Sequence, residues 1–250
     1  MTENERGGIQ VITRAAAILR CLQDQPAGLS LGAIAKRIGL PRSTVQRLVD
    51  ALALERLLDV QGAAGVRLGP LLMRLASHSH VDLLSVARPF VEGLVRDTGE
   101  TAVIAQPAGL EILILQSVVS TQTLRVAPGD GSYLASYATS AGKVLLARMS
   151  NEALVALLDG KMQSFTANTR TLEQLLAELD TVRAEGFSCD LEEHLAGVGA
   201  MAVGLDTRQG PYALSLVGPA WRIQAQSGPL RQALVDCAAQ INAQVQARPA

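Results

Sequence analysis

The stretch RIGLPRSTVQRLVDAL, Arg37 to Leu52, divides into a turn and a helix with two unlike faces. Gly39 supplies the left-handed residue that ends one helix cheaply, and Pro41 suits the first turn of the next, where no amide is wasted. Val45, Leu48, Val49 and Leu52 then fall on one apolar stripe at helical spacing. Arg42, Ser43, Gln46, Arg47 and Asp50 lie off that stripe. A short helix that keeps arginine, glutamine and hydroxyl groups outside its core face is built to touch something polar.

Working outward, two more short amphipathic helices precede it. Thr13 is expected to cap the first, whose stripe is Ala15, Ile18, Leu19 and Leu22; "QPAG" (Gln25 to Gly28) breaks it. Ser30 is expected to cap the second, striped by Leu31, Ile34, Ala35 and Ile38. Three stripes with tight turns make the small core of a helix-turn-helix. Downstream, Leu57 to Val60 and Val66 to Leu68 flank a Gly-rich turn, which reads as a hairpin, and a helix-turn-helix followed by a hairpin is a winged helix. Arginine and glutamine pair bidentately with guanine and adenine edges, and a recognition helix lays its N-terminal half in the major groove. Arg42, Gln46 and Arg47 are therefore the expected base readers. Ser43, Thr44, Thr13, Arg14 and the wing residue Arg67 are the expected phosphate contacts, and Ser30 is counted with the DNA-binding positions. A three-helix protein-binding module with a solvated third face is the alternative.

Charge is divided along the chain. The whole has 250 residues and a formal net charge of −1. Residues 1–70 carry 9 Lys/Arg and 6 Asp/Glu, whereas the remaining 180 carry 13 and 17. A basic front on an acidic body suggests a division of labour between a nucleic-acid module and something else. Apolar residues make up 48%, enough for a sizeable core. No apolar run approaches the roughly 18 residues of a membrane span, and the polar N-terminus lacks a signal-peptide core, so a cytoplasmic protein is expected. Cys21, Cys189 and Cys237 are scattered without metal-ligand spacing. His78 and His80, two apart, do not share a helix face, so a solvated linker is preferred to a metal site. There is no phosphate-cradling glycine motif and no GxSxG elbow. No cofactor, metal or catalytic set is expected.

In the body, Gly69 to Ser79 reads as a helix leaving the wing, and the segment from Val81 to Glu100 as a helix kinked or started by Pro89. Its apolar surface suits a dimer contact or a core equally. From Thr101, "TAVIAQ", "EILILQSVVS" and "TLRVA" read as strands; helices follow over about 141–148, 151–159 and 172–185. "GFSCD", "GVGAMAVGL" and "YALSLVG" resume the strands, and a helix over about 226–247 closes the chain. This order argues for α+β with an antiparallel sheet. "YATSAGKVLLA" puts Thr139, Ser140 and Gly142 at a helix start whose free amides can meet a carboxylate. "DLEEHLAGVGA" gathers Asp190, Glu192, Glu193 and His194, either an acid-base cluster or a solvated acidic loop, with Asp190 expected to point inward after "FSC". Ser215, on an apolar strand, can fix a small polar ligand or satisfy a backbone group.

The chain resembles the IclR family of bacterial transcriptional regulators over nearly its full length. "RAAAILRCL", "LSLGAIAKRIGLPRSTVQRLVDAL" and "RLGPLLMRLA" are similar to the family's winged helix-turn-helix, and "SAGKVLLA", "DLEEHLAGV" and "ALSLVGP" to its effector-binding domain. The resemblance implies a winged helix over 1–69, a linker helix over 70–81 and a GAF-like effector-binding and oligomerisation domain over 82–250. It implies a ligand-responsive regulator, not an enzyme, that binds promoter DNA as a dimer or dimer of dimers and is modulated by a small metabolic or aromatic acid. By motif, the implied effector contacts are Ser140, Ala141, Asp190, Ala200, Ser215 and Val217. The chain departs from the family at Ala200, where cysteine is frequent, at Val217, where a second serine is common, and at Gly204, where proline is common. These changes make the expected pocket more apolar, which suits an effector larger or less polar than a two- or three-carbon keto acid.

Overall fold

The computed structural model describes residues 3–23, 25, 27–60, 65–77, 81–207 and 210–247. The chain separates into two compact units, Met1–Val81 and Asp82–Ala250. His78, His80 and the hairpin turn at 61–64 lie outside the described residues.

The first unit holds α1 (Glu3–Leu22), α2 (Leu31–Ile38), α3 (Arg42–Leu54), β1 (Leu58–Val60), β2 (Val66–Leu68) and α4 (Pro70–Ser77). Its core is Ile18, Leu22, Ile34, Val45, Val49, Leu58 and Val66, drawn from each of the three stripes and both strands. The Ser30 hydroxyl accepts from the Ala33 amide at 3.2 Å, closing the N-terminus of α2. Gly39 ends that helix at φ +67°, a conformation that disfavours residues with a Cβ. β1 and β2 pair antiparallel, with Asp59 opposite Arg67. Leu29 adds a single bridge to Val66, tying the α1–α2 connection to the wing.

Two caps differ from expectation. Thr13 is no cap, because α1 begins ten residues earlier and continues through Gly7 and Gly8, whose weak propensity does not interrupt its hydrogen bonding. Pro41 stands one position before α3, in extended conformation, where its carbonyl accepts from the Thr44 and Val45 amides.

The second unit holds α5 (Val81–Thr98), β3 (Thr101–Ala108), β4 (Glu111–Val118), β5 (Tyr133–Ala135), α6 (Ser140–Leu146), α7 (Asn151–Leu158), α8 (Leu172–Glu185), β6 (Phe187–Leu191), β7 (Val198–Thr207), β8 (Gly210–Pro219), α9 (Ala220–Ala225) and α10 (Ser227–Ala247). The six strands form one antiparallel sheet in the order β5-β4-β3-β8-β7-β6. Alternation along the strands divides the core. Met201, Val203, Leu214 and Leu216 face a layer that includes Leu83, Ala87 and Val91 of α5 and Leu234 and Ile241 of α10. Ala202 and Ala213 face the opposite layer, with Leu145 of α6, Leu154 of α7 and Leu175 and Leu179 of α8.

Pro89 lies inside α5 on its exposed side and does not begin the helix. "TLRVA" is not a strand; residues 121–132 instead form an irregular segment, and its apolar Val126, Ala127 and Pro128 cover a cavity. An apolar run can cover a ligand-sized space as readily as it can pair in a sheet. β5 and α9 were not legible in the sequence. Among the described residues, no helix is long and apolar enough to cross a membrane.

Candidate functional site

Two sites emerge, one in each unit. On α3, Val45 and Val49 are fully buried, so the opposite face is committed to solvent. Arg42, Ser43, Arg47 and Asp50 are exposed there, while Thr44 and Gln46 are half-buried. Residues four apart stand on one face, which stacks Arg42 with Gln46 and Ser43 with Arg47. The Gln46 Nε2 donates to Asp50 Oδ1 at 2.7 Å, so the free-state amide is held from below. The other expected positions are dispersed. Thr13 is exposed and Arg14 half-buried within α1, Ser30 is engaged in capping α2, and Arg67 stands opposite Asp59 on the hairpin.

The second site is a cavity of about 290 Å³ between the sheet and α6. Ser140, Ala141, Asp190, Ala200, Ser215 and Val217 all line it. The strand register explains how the four strand positions meet. Asp190 pairs with Ala200 and Ala200 with Val217, so one rung crosses β6, β7 and β8; Ser188, Ala202, Ser215 and Val103 form another on the same face. Ser140 comes from the first residue of α6, and its hydroxyl lies 3.3 Å from that of Ser215. Most of the remaining wall is apolar, from Val103, Ile112, Ile114, Leu134 and Val198.

The start of α6 does not offer all its amides. Thr139 caps it, its Oγ1 accepting from the Gly142 amide at 3.3 Å and donating to the Ala135 carbonyl at 3.0 Å. Gly142 is required by proximity, since a Cβ there would lie 2.0 Å from the Ser136 carbonyl oxygen.

The acidic cluster divides. Asp190 is 3% exposed, and its Oδ1 accepts from the Glu193 amide at 2.8 Å. Burial pushes its carboxyl up to about 7, against the Glu193 amide that pulls it down. Glu193 is not in a solvated loop. Its carboxylate is buried and meets the Lys143 ammonium at 2.6 Å, and burial raises its pKa. Lys143, with no exposed surface, also donates to Glu178 at 2.7 Å and to the Cys189 carbonyl at 3.1 Å. Arg170 reaches the second oxygen of Glu178 at 3.2 Å. Glu192 is half-buried at φ +60°, its carboxylate accepting from the Gly197 amide at 2.6 Å. His194 lines the cavity edge-on to Phe165, with ring centroids 4.7 Å apart; burial lowers its pKa, and its Nδ1 is buried without a hydrogen-bond partner.

Asp190 and His194 thus share the cavity, while Glu193 belongs to a separate buried ion network through Lys143. The arrangement orders the loop after β6 instead of assembling acid, base and nucleophile around one point. Sequence reasoning passed over Lys143 and Glu178. The one local signal was a lysine inside the otherwise apolar "GKVLLA".

Comparison with known proteins fits this division. Residues 11–62 match the IclR helix-turn-helix domain, and residues 75–243 match the bacterial transcriptional regulator IclR C-terminal domain. The chain is 44% identical over 230 residues to the HTH-type transcriptional regulator TtgV of Pseudomonas putida, covering 92% of this chain and 89% of that protein. It is 35% identical over 246 residues to the HTH-type transcriptional regulator Rv1719 of Mycobacterium tuberculosis, covering 96% and 94%. Among solved structures, a transcriptional regulator from Rhodococcus sp. RHA1 is similar at 26% identity with a TM-score of 0.74, covering 95% of this chain and 98% of that one. An IclR homologue from Microbacterium hydrocarbonoxydans, complexed with 4-hydroxybenzoate, shares the fold at 24% identity with a TM-score of 0.81, covering 95% and 100%. The two relatives are named as transcriptional regulators. With a helix-turn-helix at one end and the family's C-terminal domain at the other, this chain belongs to the IclR family of DNA-binding transcriptional regulators.

Proposed function

We propose that the chain works in the cytoplasm as a homodimer or dimer of dimers on operator DNA and responds to a small organic effector seated in the cavity of its second unit. Each protomer lays α3 in a major groove. Arg42, Gln46 and Arg47 read base edges, while Ser43, Thr44, Thr13, Arg14, Ser30 and Arg67 are assigned to the phosphate backbone. The effector contacts Ser140, Ala141, Asp190, Ala200, Ser215 and Val217, with His194 added at the rim. The observation that carries this reading is the convergence of those six positions, from α6, β6, β7 and β8, on one cavity.

The related structure that holds 4-hydroxybenzoate supports an organic effector of modest size. The cavity here is at the small end of ligand pockets and largely apolar, which favours a ligand larger or less polar than a two- or three-carbon keto acid. Coupling requires that the effector bind the DNA-competent and incompetent states with different affinity. The test is to select operator sequences from random DNA with the full-length protein and then screen small organic compounds for a change in that binding. A palindromic site whose occupancy changes with a compound that also raises the protein's melting temperature is expected. A site insensitive to every stabilising compound would reduce the second unit to an oligomerisation domain.

A further inference from the structure

Behind the cavity wall lies a charged cluster that stands outside the cavity lining. Ser140 and Ala141, just before Lys143, line the cavity, as do His194 and Leu195, just after Glu193; Lys143, Glu178 and Glu193 do not. Lys143 is fully buried in α6 beside Val144, Leu145 and Leu146, where an apolar side chain would avoid the cost of desolvating a charge. Its ammonium is instead shared by three oxygens from three parts of the unit. These are Glu193 Oε1 of the loop after β6 at 2.6 Å, Glu178 Oε1 of α8 at 2.7 Å and the Cys189 carbonyl of β6 at 3.1 Å. Such bonds are directional, whereas apolar contact is not. Glu193 is held at each end. Its amide donates to Asp190 Oδ1 at 2.8 Å and its carbonyl accepts from Thr169 Oγ1 at 2.7 Å, while its carboxylate meets Lys143. Glu193 Oε2 is buried without a hydrogen-bond partner, and Arg170 stands 3.9 Å from Oε1, so Lys143 is the carboxylate's close contact.

We propose that the Lys143–Glu193 pair positions one wall of the cavity: it holds the loop after β6 against α6 and so sets where His194 and Leu195 stand, without touching what the cavity holds. The inference rests on the effector-site reading only for the use to which that wall is put. Glu178 has a different part. It shares the same ammonium but belongs to α8, and with Glu193, Asn168 and Arg170 it lines a separate polar pocket. Its loss loosens α8 and leaves the loop in place, because Lys143 keeps both Glu193 and the Cys189 carbonyl. The loss of Glu193 acts on the loop itself. Its remaining ties are then the Glu192 carboxylate to the Gly197 amide at 2.6 Å and the backbone bonds around them.

The test uses the full-length protein without ligand. Hydrogen exchange is followed at the amides of Glu192, Glu193 and Gly197. Labelling of His194 by diethyl pyrocarbonate is followed by mass spectrometry, which separates it from His78 and His80. Glu193→Met removes the acceptor at similar volume, and is expected to speed loop exchange and His194 labelling about tenfold while exchange in α10 is unchanged. Glu193→Gln restores an uncharged acceptor for the ammonium and should bring both readouts back to within about threefold of the unmodified protein. Glu178→Met removes the other carboxylate from the same lysine, yet should leave the loop within about twofold. Loop exchange and labelling unchanged in Glu193→Met would overturn the proposal. So would an equal effect of Glu178→Met on the loop, which would make the cluster a general packing feature, or a Glu193→Gln variant no better than Glu193→Met. None of these readouts needs a ligand. A screen in which no compound raises the melting temperature would sink the effector-site reading and leave the positioning of the loop to be decided by its own result.

Discussion

A carboxyl group that is 3% exposed, beside alanine and valine on its rung, must be costly to ionise. For Asp190 this makes stability depend on pH with a definite sign. Its pKa rises from the ordinary 3.8 to about 7 on folding, chiefly through burial. Below about pH 4 both folded and unfolded chains hold the proton and nothing is lost. Between about 4 and 7 the unfolded chain releases it first, so stability falls as pH rises, and above 7 the full cost is present. That cost is on the order of 4 kcal/mol at most, at about 1.4 kcal/mol per unit of displacement. Thermal melts of the unmodified protein and Asp190→Asn should therefore converge near pH 4 and separate towards pH 8, with the variant the more stable. A separation independent of pH would mean that Asp190 does not titrate as a buried acid. Lys143 is the counter-case. Its ammonium sits between two carboxylates in a site with no exposed surface, an arrangement that adds little net stability but is expensive to break.

At the scale of the element, α3 has one face spent on packing and one left for recognition. Arg42 is exposed at the first helical position, so its fork is available to a base edge. Arg42→Ala should cost about 1–3 kcal/mol on the selected operator and relax the preference at one base position. Titrations on operator and random duplexes distinguish the roles, since an equal loss on both would make Arg42 a phosphate contact. The sequence was most readable where its signal was local. The stripes of α2 and α3, the Ser30 cap, Gly39 and the hairpin each depend on residues within one or two turns. The six cavity positions came from resemblance to a family; strand register brings Asp190, Ala200, Ser215 and Val217 to one face, and α6 adds Ser140 and Ala141. What escaped depends on distance. Lys143 finds Glu178 and Glu193 at 35 and 50 residues' separation, which no periodicity encodes. "TLRVA" has the apolar content of a strand but covers a cavity that exists only after the sheet forms. Thr13 is a cap-type residue standing just before the stripe of Ala15 and Ile18, yet α1 begins at Glu3 and runs through it.

For the whole molecule, the division of charge acquires a reason. The first seventy residues carry 9 basic and 6 acidic groups and present the helix-turn-helix, while the acidic remainder holds a largely apolar cavity. Two units with separate cores can be linked only if each ligand prefers the same or the opposite global state, and that linkage is reciprocal in free energy. If the effector weakens operator binding by some factor, operator DNA must weaken effector binding by the same factor. A factor of 5–150 corresponds to about 1–3 kcal/mol of coupling. The measurement is a pair of calorimetric titrations, effector into free protein and into the saturated protein–operator complex, set beside operator titrations with and without effector. Equal factors in the two directions are expected. An effector that binds free and DNA-bound protein alike, while still reducing transcription in a purified system, would show that its action does not pass through operator affinity and would place the response at a step after DNA binding.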